Sequence, residues 1–197
     1  MKKRNLLIHP MALLFFAGML LTDRSGLGVV TLMAALFHEL GHLLIARMMR
    51  VPLGGLKLDL LGARIEVKGS YLSYGEEWLL AAAGPLSSLI ASILASPFWR
   101  ISSLSVMFSC ASLVLGVLNL LPIRTFDGGR MLETMLLSIT SLKITNQIMN
   151  AISFVFLFLL WATAVYCLLR ASDGLSLLCF SMSLFSRFFE REQNVKT

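Results

Sequence analysis

The stretch FHELGHLL, residues 37–44, places two histidines and a glutamate inside a run, residues 27–49, that is otherwise almost entirely apolar. A run of this length suits a membrane-spanning helix, which needs about 20 apolar residues. Ionisable side chains at membrane depth cost about 2.5–3.5 kcal/mol each on insertion scales, so they generally mark a functional site. His38, Glu39 and His42 therefore call for a chemical explanation.

The spacing of the two histidines indicates a metal site. Residues four apart share one helix face, with Cβ atoms about 5–6 Å apart, so His38 and His42 can bind one ion. Glu39 lies beside them, where it could accept a proton from an attacking water. The alternative is a pair of core histidines that are hydrogen-bonded to helix neighbours. Such histidine pairs are common in soluble proteins and much less common in a bilayer, so the metal site is the favoured interpretation.

A catalytic zinc needs a third protein ligand and an open position. His9, near the start of the first apolar run, is one candidate. Asp127, in NLLPIRTFDGGR (residues 119–130), is the better one, because Pro122 should interrupt a span there and Gly128-Gly129 should free the backbone. Irregular backbone at membrane depth is tolerated around a buried or watery site. Three other aspartates lie in predicted loops without such a context: Asp23, Asp59 and Asp173.

The composition indicates one polytopic membrane domain spanning residues 1–197. Of these residues 57% are hydrophobic and 14% charged, with a mean hydropathy of +0.80, whereas soluble domains carry about 25% charge. The net charge of +6 is spread between apolar runs and forms no aromatic-interleaved basic patch, which argues against nucleic-acid binding. We predict an all-α fold with about six transmembrane helices over residues 6–21, 27–49, 79–98, 101–122, 147–169 and 174–189.

The positive charges predict the orientation of these spans. With the N-terminus inside, 14 of the 17 Lys and Arg residues fall in inner segments, and only Arg24, Arg100 and Arg170 fall in outer ones. Both termini are therefore predicted to be cytoplasmic. The basic start, Met1-Lys2-Lys3-Arg4, followed by an apolar run could instead be a signal peptide, but no clear small-x-small cleavage site follows it.

One inner connection has the alternation of a β-hairpin. Residues 56–60, LKLDL, and residues 63–68, ARIEVK, each alternate apolar and polar side chains on either side of Leu61-Gly62. Period-two alternation around a glycine turn predicts a short membrane-associated hairpin over residues 56–68. An irregular interfacial loop is the alternative.

These motifs resemble those of a known family. HELGH in the second span, with Asn-x-x-Pro and a following Asp-Gly at the inner end of the fourth, is similar to the site-2 protease family of intramembrane zinc metalloproteases, in particular the bacterial sporulation-type branch with six spans. The resemblance covers nearly the whole chain. It implies one zinc held by His38, His42 and Asp127, with Glu39 as general base. It also implies that Asn119 holds the substrate carbonyl or its oxyanion.

The resemblance further implies a substrate and a location. The substrate would be a membrane-tethered protein, such as a transcription or sigma factor precursor, cut in or near its transmembrane segment in the bacterial cytoplasmic membrane. Only eight residues follow the sixth apolar run. We therefore expect no appended nucleotide-binding or PDZ domain and regulation by separate membrane proteins.

The segment AAAGPLSS, residues 81–88, resembles a family segment that packs against the active-site helices. Its small side chains by themselves indicate close helix contact, for which ordinary packing is a sufficient explanation. The chain departs from its relatives in two places. Thr125-Phe126 stands where Pro-Leu is frequent, and Ser87-Ser88 stands where an Asn often follows Gly-Pro.

Two other functions compete with a protease. A non-catalytic binding or chaperone-like member of the same fold should have lost a ligand or the general base, yet all four residues are present. A zinc transporter should carry several ligand sets along a path, which three histidines in the chain do not supply. Hydrolysis is therefore the favoured interpretation.

Overall fold

The computed structural model describes residues 5–8, 23, 25–51, 53–59, 62–67, 72–170 and 175–196. Within it the chain divides into two compact units, residues 1–119 and residues 120–197. Each unit is built mainly from helices, in agreement with the predicted helical membrane fold.

The first unit combines three long helices with a small sheet. Its elements in chain order are β1 (Asn5–Ile8), α1 (Leu27–Met48), β2 (Leu53–Asp59), β3 (Gly62–Val67), α2 (Tyr74–Ala95), a 3-10 turn (Ser96–Phe98) and α3 (Ser103–Asn119). The strand order is β1-β2-β3, with β1 parallel to β2 and β2 antiparallel to β3. The predicted hairpin falls on β2 and β3, while residues 60, 61 and 68 lie outside the described residues. Asp59, expected in a loop, is the last residue of β2.

The start of the first predicted span differs from expectation. Residues 6–8 belong to β1 and pair with residues 56–58 of β2. The remainder of the predicted span, residues 9–21, lies outside the described residues. A parallel pairing between segments about 50 residues apart is non-local, so hydropathy along the chain cannot distinguish it from the beginning of an apolar helix.

A polar turn precedes α1. Gly26 has φ 78°, a left-handed conformation that glycine adopts without strain. Asp23 accepts hydrogen bonds from the Ser25 hydroxyl at 2.7 Å and from the Gly28 N–H at 2.6 Å. These two bonds hold the pKa of the Asp23 carboxyl below its ordinary value. The carboxylate therefore satisfies an N–H that the first turn of α1 leaves without a helical partner.

Small residues bring α1, α2 and α3 into close contact. A Cβ built on Gly41 of α1 would overlap the Ala83 carbonyl and the Ser87 side chain of α2. A Cβ on Gly116 of α3 would lie 3.2 Å from the Cβ of Ser88. Membrane helices associate through such close packing, because lipid provides no hydrophobic driving force between them. The small side chains of residues 81–88 predicted this close helix contact.

The second unit contains α4 (Asp127–Ile139), α5 (Leu142–Arg170) and α6 (Leu175–Lys196), preceded by a connector, residues 120–126. Its core is formed by Ile123, Leu157, Leu184 and Phe188. The sequence analysis did not predict α4. With 13 residues, including Arg130 and Glu133, it is too short and too polar to register as an apolar run.

Three helices of the described part are long and apolar enough to cross a membrane: Leu27–Met48, Tyr74–Phe98 and Leu142–Arg170. They coincide with the predicted spans 27–49, 79–98 and 147–169. Two shorter apolar helices, Ser103–Asn119 and Leu177–Phe189, lie at the predicted spans 101–122 and 174–189. Many large apolar side chains of these helices are exposed, as lipid-facing side chains are. The chain is therefore an integral membrane protein.

Candidate metal centre

The two histidines of α1 face each other. The Nε2 atoms of His38 and His42 lie 3.3 Å apart, one helical turn from each other. His38 is buried, with 5% of its surface exposed, and His42 is half-buried. Four-residue spacing on a helix accounts for this geometry, so the predicted pairing of the two imidazoles is found in the structure.

The opposite nitrogen of each imidazole is held by α2. His42 Nδ1 lies 2.8 Å from the Leu80 carbonyl oxygen, and His38 Nδ1 lies 3.0 Å from the Ser88 hydroxyl. A carbonyl oxygen can only accept a hydrogen bond, so His42 Nδ1 must carry a hydrogen and act as the donor. His42 Nε2 then bears a lone pair directed at the neighbouring imidazole. Metal-binding histidines characteristically use the second nitrogen in this way.

Gly84 allows α2 to approach the histidines. A Cβ built on Gly84 would overlap the His42 imidazole and crowd His38 Nε2. The next residue, Pro85, lies inside α2 and has no N–H to donate to the Ala81 carbonyl four residues before it. The helical hydrogen bond to Ala81 is therefore missing in the same turn of α2 whose Leu80 carbonyl binds His42.

Glu39 and Asn119 occupy helical positions in the first unit. Glu39 follows His38 on α1 and is half-buried. Asn119 is the last residue of α3, and its Nδ2 donates to the Leu115 carbonyl at 3.0 Å. An amide Nδ2 has two N–H groups, so this bond uses one of them.

Asp127 is the first residue of α4 in the second unit, where it is half-buried. The two glycines that follow are helical and buried. A Cβ on Gly128 would overlap the Leu120 carbonyl, and one on Gly129 would overlap the Ile123 carbonyl. Their role is therefore close approach of α4 to its connector, which corrects the expectation that they free the backbone.

A buried arginine fixes the connector before Asp127. Arg124 is 8% exposed, and its guanidinium donates to the Asn146 side-chain carbonyl. Its Nη2 lies 3.4 Å from a carboxylate oxygen of Glu133, and its backbone N–H donates to the Ser153 hydroxyl at 3.2 Å. Burial of an arginine requires such pairing, so this network ties the connector to α4 and α5.

The candidate metal ligands come from both units: His38 and His42 belong to the first, and Asp127 belongs to the second. Two imidazole nitrogens and one carboxylate oxygen are a donor set typical of catalytic zinc. His9 and Asp173 lie outside the described residues.

Sequence reasoning missed the supporting residues. Leu80, Gly84 and Ser88 belong to or border the small-residue segment 81–88, which indicated close packing without identifying its hydrogen bonds to the histidines. The one available signal for Arg124 was a charged residue in an apolar connector. Its partners, Asn146 and Ser153, are polar positions on a long apolar helix.

The chain is similar in sequence to known proteins. Residues 95–163 match the model of Peptidase family M50. The "Putative zinc metalloprotease Rip3" of Mycobacterium tuberculosis is 32% identical over 120 residues in both the Erdman and the H37Rv strains. That alignment covers 55% of this chain and 30% of the relative, so the chain spans less than a third of the length of these relatives.

The fold has a solved counterpart. "Site-2 Protease from Methanocaldococcus jannaschii" matches with a TM-score of 0.68 and 23% sequence identity, over 94% of this chain and 88% of that one. At this identity the likeness shows a shared fold. The chain is thus similar to Peptidase family M50 over residues 95–163, to a zinc metalloprotease over 120 residues, and to a site-2 protease in fold.

Proposed function

We propose that this chain is an intramembrane zinc metalloprotease that hydrolyses a peptide bond in or near the transmembrane segment of a membrane-tethered protein. The observation that carries this proposal is the pair of imidazoles on α1, whose Nε2 atoms lie 3.3 Å apart with Glu39 adjacent. The pair belongs to a helix that is long and apolar enough to span a membrane. A hydrolytic site at that depth would act on polypeptide that is itself in the membrane.

One zinc ion per chain would be held by His38, His42 and Asp127. The residues present suit that ion, because the hydrogen bonds from α2 occupy the Nδ1 positions and leave the Nε2 positions to bind it. When bound, zinc acts as a Lewis acid that makes water more acidic and a peptide carbonyl more electrophilic. Three protein ligands keep a fourth position available for chemistry.

Glu39 would act as the general base and then as the general acid. Its carboxylate would take a proton from the attacking water and return it to the leaving amide nitrogen. Asn119 would hold the substrate carbonyl, or the oxyanion that forms from it, through the Nδ2 hydrogen that is not used by Leu115. Glu39 would thus transfer protons, and Asn119 would stabilise the negative charge that develops on the carbonyl oxygen.

The proposed substrate class follows from the membrane setting. A membrane-tethered protein, such as a transcription or sigma factor precursor, would present its span to the site, and separate membrane proteins would regulate access. We further propose six spans with both termini in the cytoplasm of a bacterial cell. The 14-to-3 division of the positive charges supports this orientation.

Glu39→Gln tests the proposed mechanism. The variant keeps the size and polarity of the side chain but cannot accept a proton, so we expect normal insertion and zinc content with cleavage at least ~100-fold slower. Cleavage would be measured in vesicles on a tagged membrane-tethered transcription factor encoded near this gene. Glu77→Gln, the same change on another membrane helix, is the matched control.

The outcomes separate three roles. Lost cleavage with retained zinc supports the general-base role. Low zinc content in Glu39→Gln would make the glutamate structural. Near-normal cleavage by this variant would contradict the metalloprotease mechanism and favour a binding or chaperone-like role.

A further inference from the structure

Ser88 of α2 is a fully buried polar residue at the junction of three helices. Its hydroxyl lies 3.0 Å from His38 Nδ1 on α1. Its Cβ lies against Gly116 of α3, where an added Cβ would come within 3.2 Å. None of the Ser88 side chain is exposed, so neither solvent nor lipid can replace this hydrogen bond.

The two histidines are supported by groups of different chemistry. The Leu80 carbonyl can only accept, so it fixes the proton of His42 on Nδ1. A serine hydroxyl can donate or accept. If Ser88 donated to His38 Nδ1, the imidazole would carry its proton on Nε2 and could not bind a cation there. If Ser88 accepts, Nδ1 carries the proton and Nε2 presents its lone pair.

We propose that Ser88 is a positioning residue for His38: the Ser88 hydroxyl accepts a hydrogen bond from the His38 Nδ1–H and thereby holds the imidazole in the orientation and tautomer that bind zinc. This inference rests on the proposed zinc site. It assigns Ser88 a chemical role that helix packing alone would not require. Partners of the second imidazole nitrogen orient metal ligands in this way, and their loss typically costs about 10–100-fold in metal affinity.

The chain offers a matched control for this role. Ser92 lies one turn further along α2, is also buried, and pairs its hydroxyl with that of Ser109 at 3.0 Å. Ser92→Ala removes the same atom from the same helix face and the same α2–α3 contact, without touching a histidine. A cost that arises only from packing should therefore be similar in Ser88→Ala and Ser92→Ala.

The test uses the full chain purified in mild detergent. Zinc affinity is measured by competition with a chelator, and the ligand geometry by the visible absorption of the Co²⁺-loaded protein. We expect Ser88→Ala to bind zinc about 10–100-fold more weakly, with a changed Co²⁺ spectrum, while Ser92→Ala resembles the wild type. Ser88→Cys keeps the side-chain volume but is a weaker acceptor, so it should fall between wild type and Ser88→Ala.

Unchanged affinity and spectrum in Ser88→Ala would overturn the role of Ser88 while leaving the proposed function intact. So would an equal loss in Ser92→Ala, or wild-type behaviour in Ser88→Cys together with a loss in Ser88→Ala, because either result would point to packing. If the wild-type chain itself binds no zinc, the proposed function fails, and this inference fails with it.

Discussion

At the scale of single residues, Asp127 decides whether the proposed zinc set is complete. Two imidazoles from one helical turn supply two donors, and a catalytic site needs a third. We expect Asp127→Ala to lose most of its zinc, as measured by metal analysis after mild detergent purification, where the wild type carries about one equivalent. Asp59→Ala removes a carboxylate at the end of β2, for which we propose no ligand role, and should retain the ion. His9→Ala should retain it as well. Full zinc content in Asp127→Ala would identify the third ligand as another residue.

Gly84 is the residue that allows α2 to approach the histidines. Gly84→Ala would place a methyl group against both imidazoles, so we expect about 1–3 kcal/mol of destabilisation and a large loss of zinc affinity. The control is Gly75→Ala in the first turn of the same helix, where an added Cβ meets no atom within 4 Å. That variant should be neutral or slightly stabilising, because alanine favours helices. Both effects are measured by thermal unfolding in detergent and by chelator competition. Wild-type zinc affinity in Gly84→Ala would show that α2 can move away without cost.

At the scale of secondary-structure elements, the sheet offers a place for an extended substrate. A helical segment uses its backbone groups in its own hydrogen bonds, so a protease must bind it in extended form. In the described sheet β2 is central and pairs on both sides, whereas β3 is an edge strand that pairs with β2. Edge strands bind extended peptides through their outward backbone groups. We therefore expect the outer edge of β3 to bind the substrate near its cleavage site.

Proline substitutions in β3 test this role. Successive N–H groups in a strand point to opposite edges, so Arg64→Pro and Ile65→Pro each remove a donor from a different edge. The variant that loses the outward donor should cleave several-fold to about tenfold more slowly with normal zinc content, since one hydrogen bond contributes about 0.5–1.5 kcal/mol. Ile65→Ala keeps the N–H and serves as the control. Leu58→Pro would be less informative, because Leu58 lies in the central strand, which pairs with β1 and with β3. Normal cleavage by both β3 variants would leave the sheet without a role in substrate binding.

At the scale of the whole molecule, the distribution of positive charge predicts six spans with both termini inside. Reporter fusions after residues 24, 100 and 172 should be extracytoplasmic, and fusions after residues 69 and 143 and at the C-terminus should be cytoplasmic. In the described part, three helices are long and apolar enough to span a membrane, and two shorter apolar helices lie at two further predicted spans. The fusion after residue 24 reports on the remaining one, residues 6–21. An extracytoplasmic C-terminus would contradict the six-span topology.

The features that follow from local chain geometry were predictable from the sequence. His38 and His42 share a face because residues four apart on any helix do, and long apolar runs become membrane helices because lipid leaves backbone groups no other partners. The end of α3 at Asn119, three residues before Pro122, follows from the helix-breaking chemistry of proline. Each of these depends on residues within a few positions of one another.

Only the tertiary structure decided which groups support the site. The bonds from His42 to Leu80 and from His38 to Ser88 cross 38 and 50 residues of chain, and no periodicity encodes such pairs. The same holds for the parallel pairing of β1 with β2 and for the buried Arg124 network. Gly84 and Gly128 show the reason most clearly. The sequence identifies a residue without a side chain, but only the packed molecule shows which atom occupies the space that a side chain would fill.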